Sequence, residues 1–378
     1  MKKIAIQQFD WALRRYEDQI GEFLGRPDYP HIIDDSMPYI LFDADEFLKN
    51  RGDNFIKIAI VSASYPGQYC VLPDQNLSVF DLIINIDCEA MVVDNYFEVL
   101  TQKWSNPNII VLNGCALQSF ESQGRALTVP WFFINTQLAN QRLGLNFFRK
   151  SVTKPKLFDA LLGINKPHRK FIFDSLKDSN LLDKSWVSLS AAVRFDQHPK
   201  LNYYKSPGLQ ELEMPLVEPA MNSIDQGFDS YIPILGLKNL YYSASNLIPC
   251  KIYDTSYYSI VAETGTEQCF FTEKTAKPLL AHRLFVLFGA HRQLEKLRRF
   301  GFETFDSVID ESYDLEPNTR KRHQMAFEQV VALSKNDPQK VLAKIDGVLT
   351  HNQNLINNRE YFMAPARQWV WNHIKKFY

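Results

Sequence analysis

What most restricts the fold of this chain is a rhythm. Short, nearly unbroken apolar runs are each followed by a polar turn and a stretch with helical spacing. The runs PYILFDADEF (38–47), FIKIAIVSAS (55–64), FDLIINIDCE (80–89) and NIIVLNGCA (108–116) have the length and composition of strands buried on both faces, and TVPWFFINT (128–136) reads as a fifth. Between them MVVDNYFEVLTQKW (91–104) carries apolar residues at helical intervals. The pattern predicts an α/β fold with an open parallel sheet and covering helices.

The rhythm breaks at SVTKP (151–155), which reads as a linker, and then restarts. KLFDALLGIN (156–165) and SWVSLSAA (185–192) read as strands flanking a helix in 166–183. Residues 196–230, rich in Pro, Gly, Asn and Gln, read as an irregular excursion. Alternation resumes in CKIYDTSYYSIVAET (250–264), a helix near Thr272, the strand RLFVLFGA (283–290) and the helix HRQLEKLRRFG (291–301). At 378 residues the chain has room for about two domains of ~150 residues. The expectation is two Rossmann-like domains facing across a cleft, residues 1–152 and 153–350, with a C-terminal helix over 351–378 packing back across them. In such folds ligands bind beyond the carboxyl ends of the strands.

Charge then narrows the function classes. The 42 Lys and Arg nearly cancel the 43 Asp and Glu, so no global field draws the chain to nucleic acid, and anion binding must be local. No apolar run approaches the ~20 residues of a membrane span, and the polar start after MKKIAI does not read as a secretion signal, which points to a cytoplasmic protein. The basic, amphipathic ARQWVWNHIKKFY at the end could touch a membrane surface or pack across a domain boundary. Five scattered cysteines without a C-x-x-C pair read as reduced, buried thiols.

One local spot stands out. In FFTEKTAKPLL, Thr272 can cap a helix and Glu273 suits its first turn, but Lys274 and Lys277 share a helix face at an end that is already electropositive. An anion such as a pyrophosphate would balance them. Glu263, directly after the apolar YYSIVA, stands where a carboxylate can take two hydrogen bonds from a ribose diol. A second basic spot, GINKPHRKFIF (163–173), crowds Asn165, Lys166, His168 and Arg169 at a helix entrance, and Arg169 offers the forked contacts that suit phosphate oxygens. Together the two spots predict a diphosphate clamp at one sheet edge.

The order of strand, Glu, variable loop, Phe-Thr-Glu-Lys, helix and Phe-Val-Leu-Phe-Gly strand resembles the nucleotide-sugar motif of the α1,3-fucosyltransferase-like glycosyltransferases, and NKPHRKFIFDSLKDSNLLDKSWVSLS is similar to a segment of their bacterial and viral relatives. The resemblance covers residues 157–314. It implies the GT-B architecture, with the nucleotide held by the C-terminal domain. It also implies that Glu263 holds the ribose, Lys274 the phosphates, Arg169 the leaving diphosphate, and Thr272 and Glu273 the turn and the donor. AETGTEQCFFTEK replaces the usual Phe-Glu-Asn start, and Ala281-His282-Arg283 stands where a small residue and Gly-x-Pro are common, which leaves the base and the sugar open.

The expected function is transfer of a sugar from a nucleotide-diphosphate donor to a hydroxyl of a glycan or other acceptor. Fixed cations in place of a metal or other cofactor would stabilise the leaving group. Inversion needs a general base from the N-terminal domain, with Glu89 and Asp45 first by position, ahead of Asp43, Glu46 and Asp87. The triplet Asp43-Ala44-Asp45 is also what a metal-dependent, single-domain transferase would use. Tyr203, Tyr204 and Tyr231 could stack on rings. The rival readings are a catalytically idle nucleotide-sugar or glycan-binding module, a retaining enzyme of the same architecture, and a nucleic-acid protein, the last disfavoured by the neutral charge.

Overall fold

Buried parallel strands need apolar side chains on both faces, and the chain's runs supply them. In the computed structural model, residues 3–10, 39–41, 55–62, 77–87, 96–114, 124–142, 153–190, 203–209, 231–233, 241–243 and 247–378 are described. They divide into two units, Met1–Trp131 with Glu360–Tyr378, and Phe132–Arg359.

The first unit holds a six-stranded sheet. Its strands are β1 (Lys3–Asp10), β2 (Tyr39–Leu41), β3 (Phe55–Ser62), β4 (Leu82–Asp87), β5 (Ile109–Asn113) and β6 (Ala126–Thr128). They lie in the order β2-β1-β3-β4-β5-β6, and every pairing is parallel. All five residues of β5 are buried, the burial expected of a strand covered on both sides. Helix α1 (Tyr96–Trp104) follows β4. The turn before β4 is held by Asn106, whose side-chain amide donates to the carbonyls of Leu77 and Phe80.

One strand expectation is corrected. Residues 128–136 do not form a strand throughout, because β6 ends at Thr128 and α2 (Trp131–Arg142) starts three residues later. Pro130 has no N–H to donate to a ladder, and beyond it Phe133, Thr136, Gln137 and Asn140 are buried at the i, i+3, i+4, i+7 intervals of one helix face. Strand β1, by contrast, carries polar Gln7 and Gln8 within its run, so apolar continuity does not reveal it.

The second unit is built on β7 (Lys156–Ile164), α3 (Pro167–Asp178), β8 (Ser185–Ser190) and β9 (Tyr203–Lys205). A two-stranded antiparallel ribbon, β10 (Tyr231–Pro233) and β11 (Tyr241–Ser243), stands apart. Then come α4 (Cys250–Asp254), β12 (Ser256–Ala262), α5 (Glu273–Leu280), β13 (Phe285–Phe288) and α6 (Gln293–Arg299). The sheet order is β13-β12-β7-β8-β9, parallel except for β9. Every residue of β12 and β13 is buried, although β13 is an edge strand of the sheet.

Helices α7 (Thr319–Leu333), α8 (Pro338–Lys344) and α9 (Asp346–Asn357) complete the second unit, and α10 (Arg359–Ile374) ends the chain, with Glu360 onward in the first unit. There α10 buries Phe362, Met363, Ala366, Val370 and Ile374, and His373 contacts the carbonyl of Gly124 at 3.1 Å. Within the second unit the rings of Phe133, Phe271, Phe300 and Phe302 meet at centroid distances of 5.4 to 6.5 Å, binding α2 to the segments around α5 and α6. No helix among the described residues is long and apolar enough to cross a membrane.

Candidate functional site

The carboxyl ends of β7 and β12 lie side by side, and the basic residues gather there. Gly163 produces a register shift in β7 with a φ of 62°, a left-handed conformation that suits glycine, and a Cβ at this position would come 3.6 Å from an Arg169 terminal nitrogen. Asn165 and Lys166 follow, and Pro167 opens α3, where its missing N–H costs nothing. The helix then turns His168 and Arg169 inward, and both are buried.

Arg169 ties the two strand ends together. One terminal nitrogen donates to the Ile164 carbonyl at 3.2 Å and the other to the Glu263 carbonyl at 3.5 Å. Its Nε is buried with no hydrogen-bond partner. An orphaned donor on a buried guanidinium is costly unless an acceptor arrives. Burial lowers the Arg169 pKa, and the charges of Glu263 and Glu273 oppose that shift.

Glu263 is completely buried, and its carboxylate is saturated by the chain itself. Oε1 accepts from Thr272 N at 3.1 Å and Thr275 Oγ1 at 2.5 Å. Oε2 accepts from Thr272 Oγ1 at 2.6 Å and Thr264 N at 3.3 Å. It sits at the start of α5, where the helix ends its donors unpaired and the field favours a negative charge. In this structure it therefore fixes the loop from β12 to α5. Thr272 completes the arrangement: its hydroxyl donates to Glu263 and accepts from Lys274 N and Lys274 Nζ, both at 3.3 Å.

Lys274 Nζ lies 2.7 Å from Glu273 Oε1 and 3.3 Å from Thr264 Oγ1, while Lys166 Nζ donates to the Thr264 carbonyl at 2.6 Å. Burial would raise the Glu273 pKa, but Lys274 and Lys277 outweigh it and hold the carboxyl below its ordinary range. Half-buried Lys277 has its pKa lowered by burial. Glu273 opposes that shift by charge alone, and no hydrogen bond or ion pair engages the Lys277 ammonium among the described residues. Four cations, Lys166, Arg169, Lys274 and Lys277, thus face two carboxylates, one of which is sealed in the core. The cluster therefore carries an excess of positive charge.

The neighbouring turn is closed to an anion. At the end of β13, Gln293 accepts from Ala290 N and donates to the Phe270 carbonyl, so closely that a Cβ on Gly289 would meet its oxygen at 1.9 Å. The start of α6 is already capped by Asp314, whose carboxylate accepts from Leu294 N at 2.8 Å and Glu295 N at 3.0 Å.

The crystal structure of an alpha1,3-fucosyltransferase is similar to this chain with a TM-score of 0.44 and 9% sequence identity, over 99% of this chain and 90% of that one. No protein-family model and no curated protein matches the chain. At this level the likeness adds no weight to the site, which stands on the contacts given above.

Asp43, Asp45, Glu46 and Glu89 lie outside the described residues, and Asp87 ends β4. Tyr204 packs edge-on against Phe173 at 4.8 Å, inside the second unit. Two contributors, His323 and Arg322, escape the sequence reading, and His168 is read there only as part of a basic turn. His168 and His323 place their rings 6.0 Å apart and approach the carbonyls of Glu263 and Gly289 at 2.8 and 3.4 Å. Because the partners are carbonyl oxygens, each Nε2 carries the proton. Burial, and the positive charge of Arg169 or Arg322 beside each, lowers the pKa of His168 to about 3 and that of His323 to about 4. Arg322, from α7, donates to the carbonyls of Gly289, Glu316, Pro317 and Thr266, so it pins the loop that follows Glu263. Only tertiary folding brings it 56 residues back to Thr266.

Proposed function

We propose that this chain is a glycosyltransferase that moves a sugar from a nucleotide-diphosphate donor to a hydroxyl of a glycan or other acceptor, with inversion and with fixed cations in place of a metal. The observation that carries the reading is the excess of cations at the joined ends of β7 and β12, with the Arg169 Nε unpartnered and the Lys277 ammonium unengaged. Two linked phosphoryl groups fit such a notch better than a carboxylate does, because they bring enough charge and enough acceptors to meet Lys274, Lys277 and Arg169 together.

In the proposed reaction the acceptor oxygen bonds to the anomeric carbon as the bond from that carbon to the phosphoryl oxygen breaks. The electron pair leaves with the nucleoside diphosphate, and the acceptor proton passes to a carboxylate, for which Glu89 and Asp45 remain first by position. Lys274, Lys277 and Arg169 stabilise the charge that grows on the leaving group. Asn165 and Glu273 line the donor side. Glu263 and Thr272 hold the loop and the helix entrance in place, Glu263 through its four internal donors.

The experiment is a transfer and hydrolysis assay of the purified chain against a panel of nucleotide sugars, in the presence of a chelator. The expected result is turnover of one donor, lowered about 10²-fold or more by Lys274→Ala. Binding of a donor without turnover would instead make the chain a non-catalytic nucleotide-sugar module. Failure to bind or turn over any of the panel would remove the proposal.

A further inference from the structure

Two carboxylates lie in the cation cluster, and they are held in opposite ways. Glu263 takes four donors from the loop and the α5 entrance, so moving it would break all of these bonds at once. Glu273 is buried too, yet among the described residues its one side-chain donor is Lys274, whose Nζ lies 2.7 Å from Oε1. The Lys274 side chain is 23% exposed, and its two further contacts, to the hydroxyls of Thr264 and Thr272, are long at 3.3 Å. An ammonium on a flexible stem can leave such partners. Arg169 cannot follow it, because its guanidinium is fixed between the carbonyls of Ile164 and Glu263.

The pairing of Glu273 with Lys274 is not the one a helix offers by default. On a helix surface a glutamate meets the residues three and four positions on, while its immediate neighbour points elsewhere. Lys277 stands four residues after Glu273, in the favoured order of charges, and its ammonium makes no hydrogen bond or ion pair among the described residues. The carboxylate turns instead to the next residue in the chain. It thereby engages one cation of the notch, while Lys277 stays unengaged and the buried Arg169 Nε unpartnered.

We propose that Glu273 is an exchangeable counter-ion of the diphosphate site: its carboxylate competes with the phosphoryl oxygens for Lys274, and so limits how tightly the site holds the leaving nucleoside diphosphate. The inference rests on the reading that this notch binds a diphosphate. Carboxylate and phosphoryl oxygens are acceptors of the same kind, and like charges brought side by side oppose binding. A buried carboxylate deprived of its only partner would be costly. Here Lys277 and Arg169 also act on Glu273 by charge, so Lys274 can move to the ligand without stranding it.

The arrangement has a use in turnover. A notch with four cations would retain a nucleoside diphosphate long after the sugar has gone, and product release limits many enzymes. A carboxylate built into the helix entrance takes Lys274 back and shortens that retention. Glu273 thus tunes release, in contrast to Glu263, which only holds the loop.

The test titrates the full chain and Glu273→Gln with guanosine, adenosine, uridine, cytidine and thymidine diphosphates by calorimetry, with circular dichroism to confirm folding. Glutamine keeps the size of the side chain and an oxygen that can accept from Lys274, but removes the charge. A substitution that merely disturbs the helix entrance would weaken binding, so a gain in affinity is the discriminating result. The diphosphate that binds the parent is expected to bind Glu273→Gln on the order of tenfold more tightly. If Glu273→Gln does not fold, Glu273→Asp, which draws the charge back by one methylene, takes its place with a smaller gain expected. Affinity equal to or below that of the parent in the folded variant would overturn this proposal and leave the diphosphate reading standing, whereas no binding by the parent would overturn both.

Discussion

Glu263 shows how one side chain can organise a site without touching what binds there. Its carboxylate takes four donors from a loop and a helix entrance in complete burial, so Glu263→Ala would strand the amides of Thr264 and Thr272 and the hydroxyls of Thr272 and Thr275. We expect a loss on the order of 3 kcal/mol in a urea or thermal unfolding measurement, because several buried donors lose their partner together. The paired histidines make a second prediction at this scale. Their pKa values of about 3 and about 4 in the folded chain lie below the ordinary value of 6.5, so between those limits the unfolded chain binds more protons. The stability they contribute is complete above pH 6.5, falls as the pH drops, and is fully lost below about pH 3. Each ring should remove on the order of 2 kcal/mol by pH 5, and His168→Gln and His323→Gln should each flatten the fall in unfolding midpoint between pH 7 and pH 5. Of this the sequence discloses Glu263 as a carboxylate at a strand end. It does not disclose its donors, since Thr272 and Thr275 come within reach only when the intervening loop folds back.

Strands, helices and the loops between them were legible in proportion to how far their signal is local. Runs such as IIVLN in β5 and FVLF in β13 are buried throughout, and apolar continuity is enough to find them. The stretch 128–136 misleads because a short apolar run serves a buried strand or a buried helix equally well, and here Pro130 decides between them. The helix entrance at Thr272 is legible because a cap, an acidic first turn and two lysines stand together in sequence. The loop before it is not, since its shape depends on Arg322 reaching Thr266 and Gly289 from α7. Arg322→Lys keeps the charge but gives up the forked set of donors. We expect faster amide hydrogen exchange across residues 264–268, with α7 itself still protected. Unchanged exchange in that loop would show that it is held by other means.

On the scale of the whole molecule, the chain is nearly neutral yet gathers four cations at one end of one sheet. Two units with parallel sheets provide the framework, and the adjacent α6 entrance is capped by Asp314, which leaves the entrances of α3 and α5 as the place proposed for an anion. Whichever sugar and acceptor are involved, the central claim is that this notch grips two linked phosphoryl groups. Calorimetric titration of the chain and of its Arg169→Ala, Lys274→Ala and Lys277→Ala variants with nucleoside diphosphates tests it most directly, with circular dichroism to confirm that each variant is folded. The account predicts that one nucleoside diphosphate binds the parent chain and that each substitution weakens it by about tenfold or more, roughly 1.4 kcal/mol. Equal affinity for the folded variants and the parent, or no binding by the parent, would contradict it.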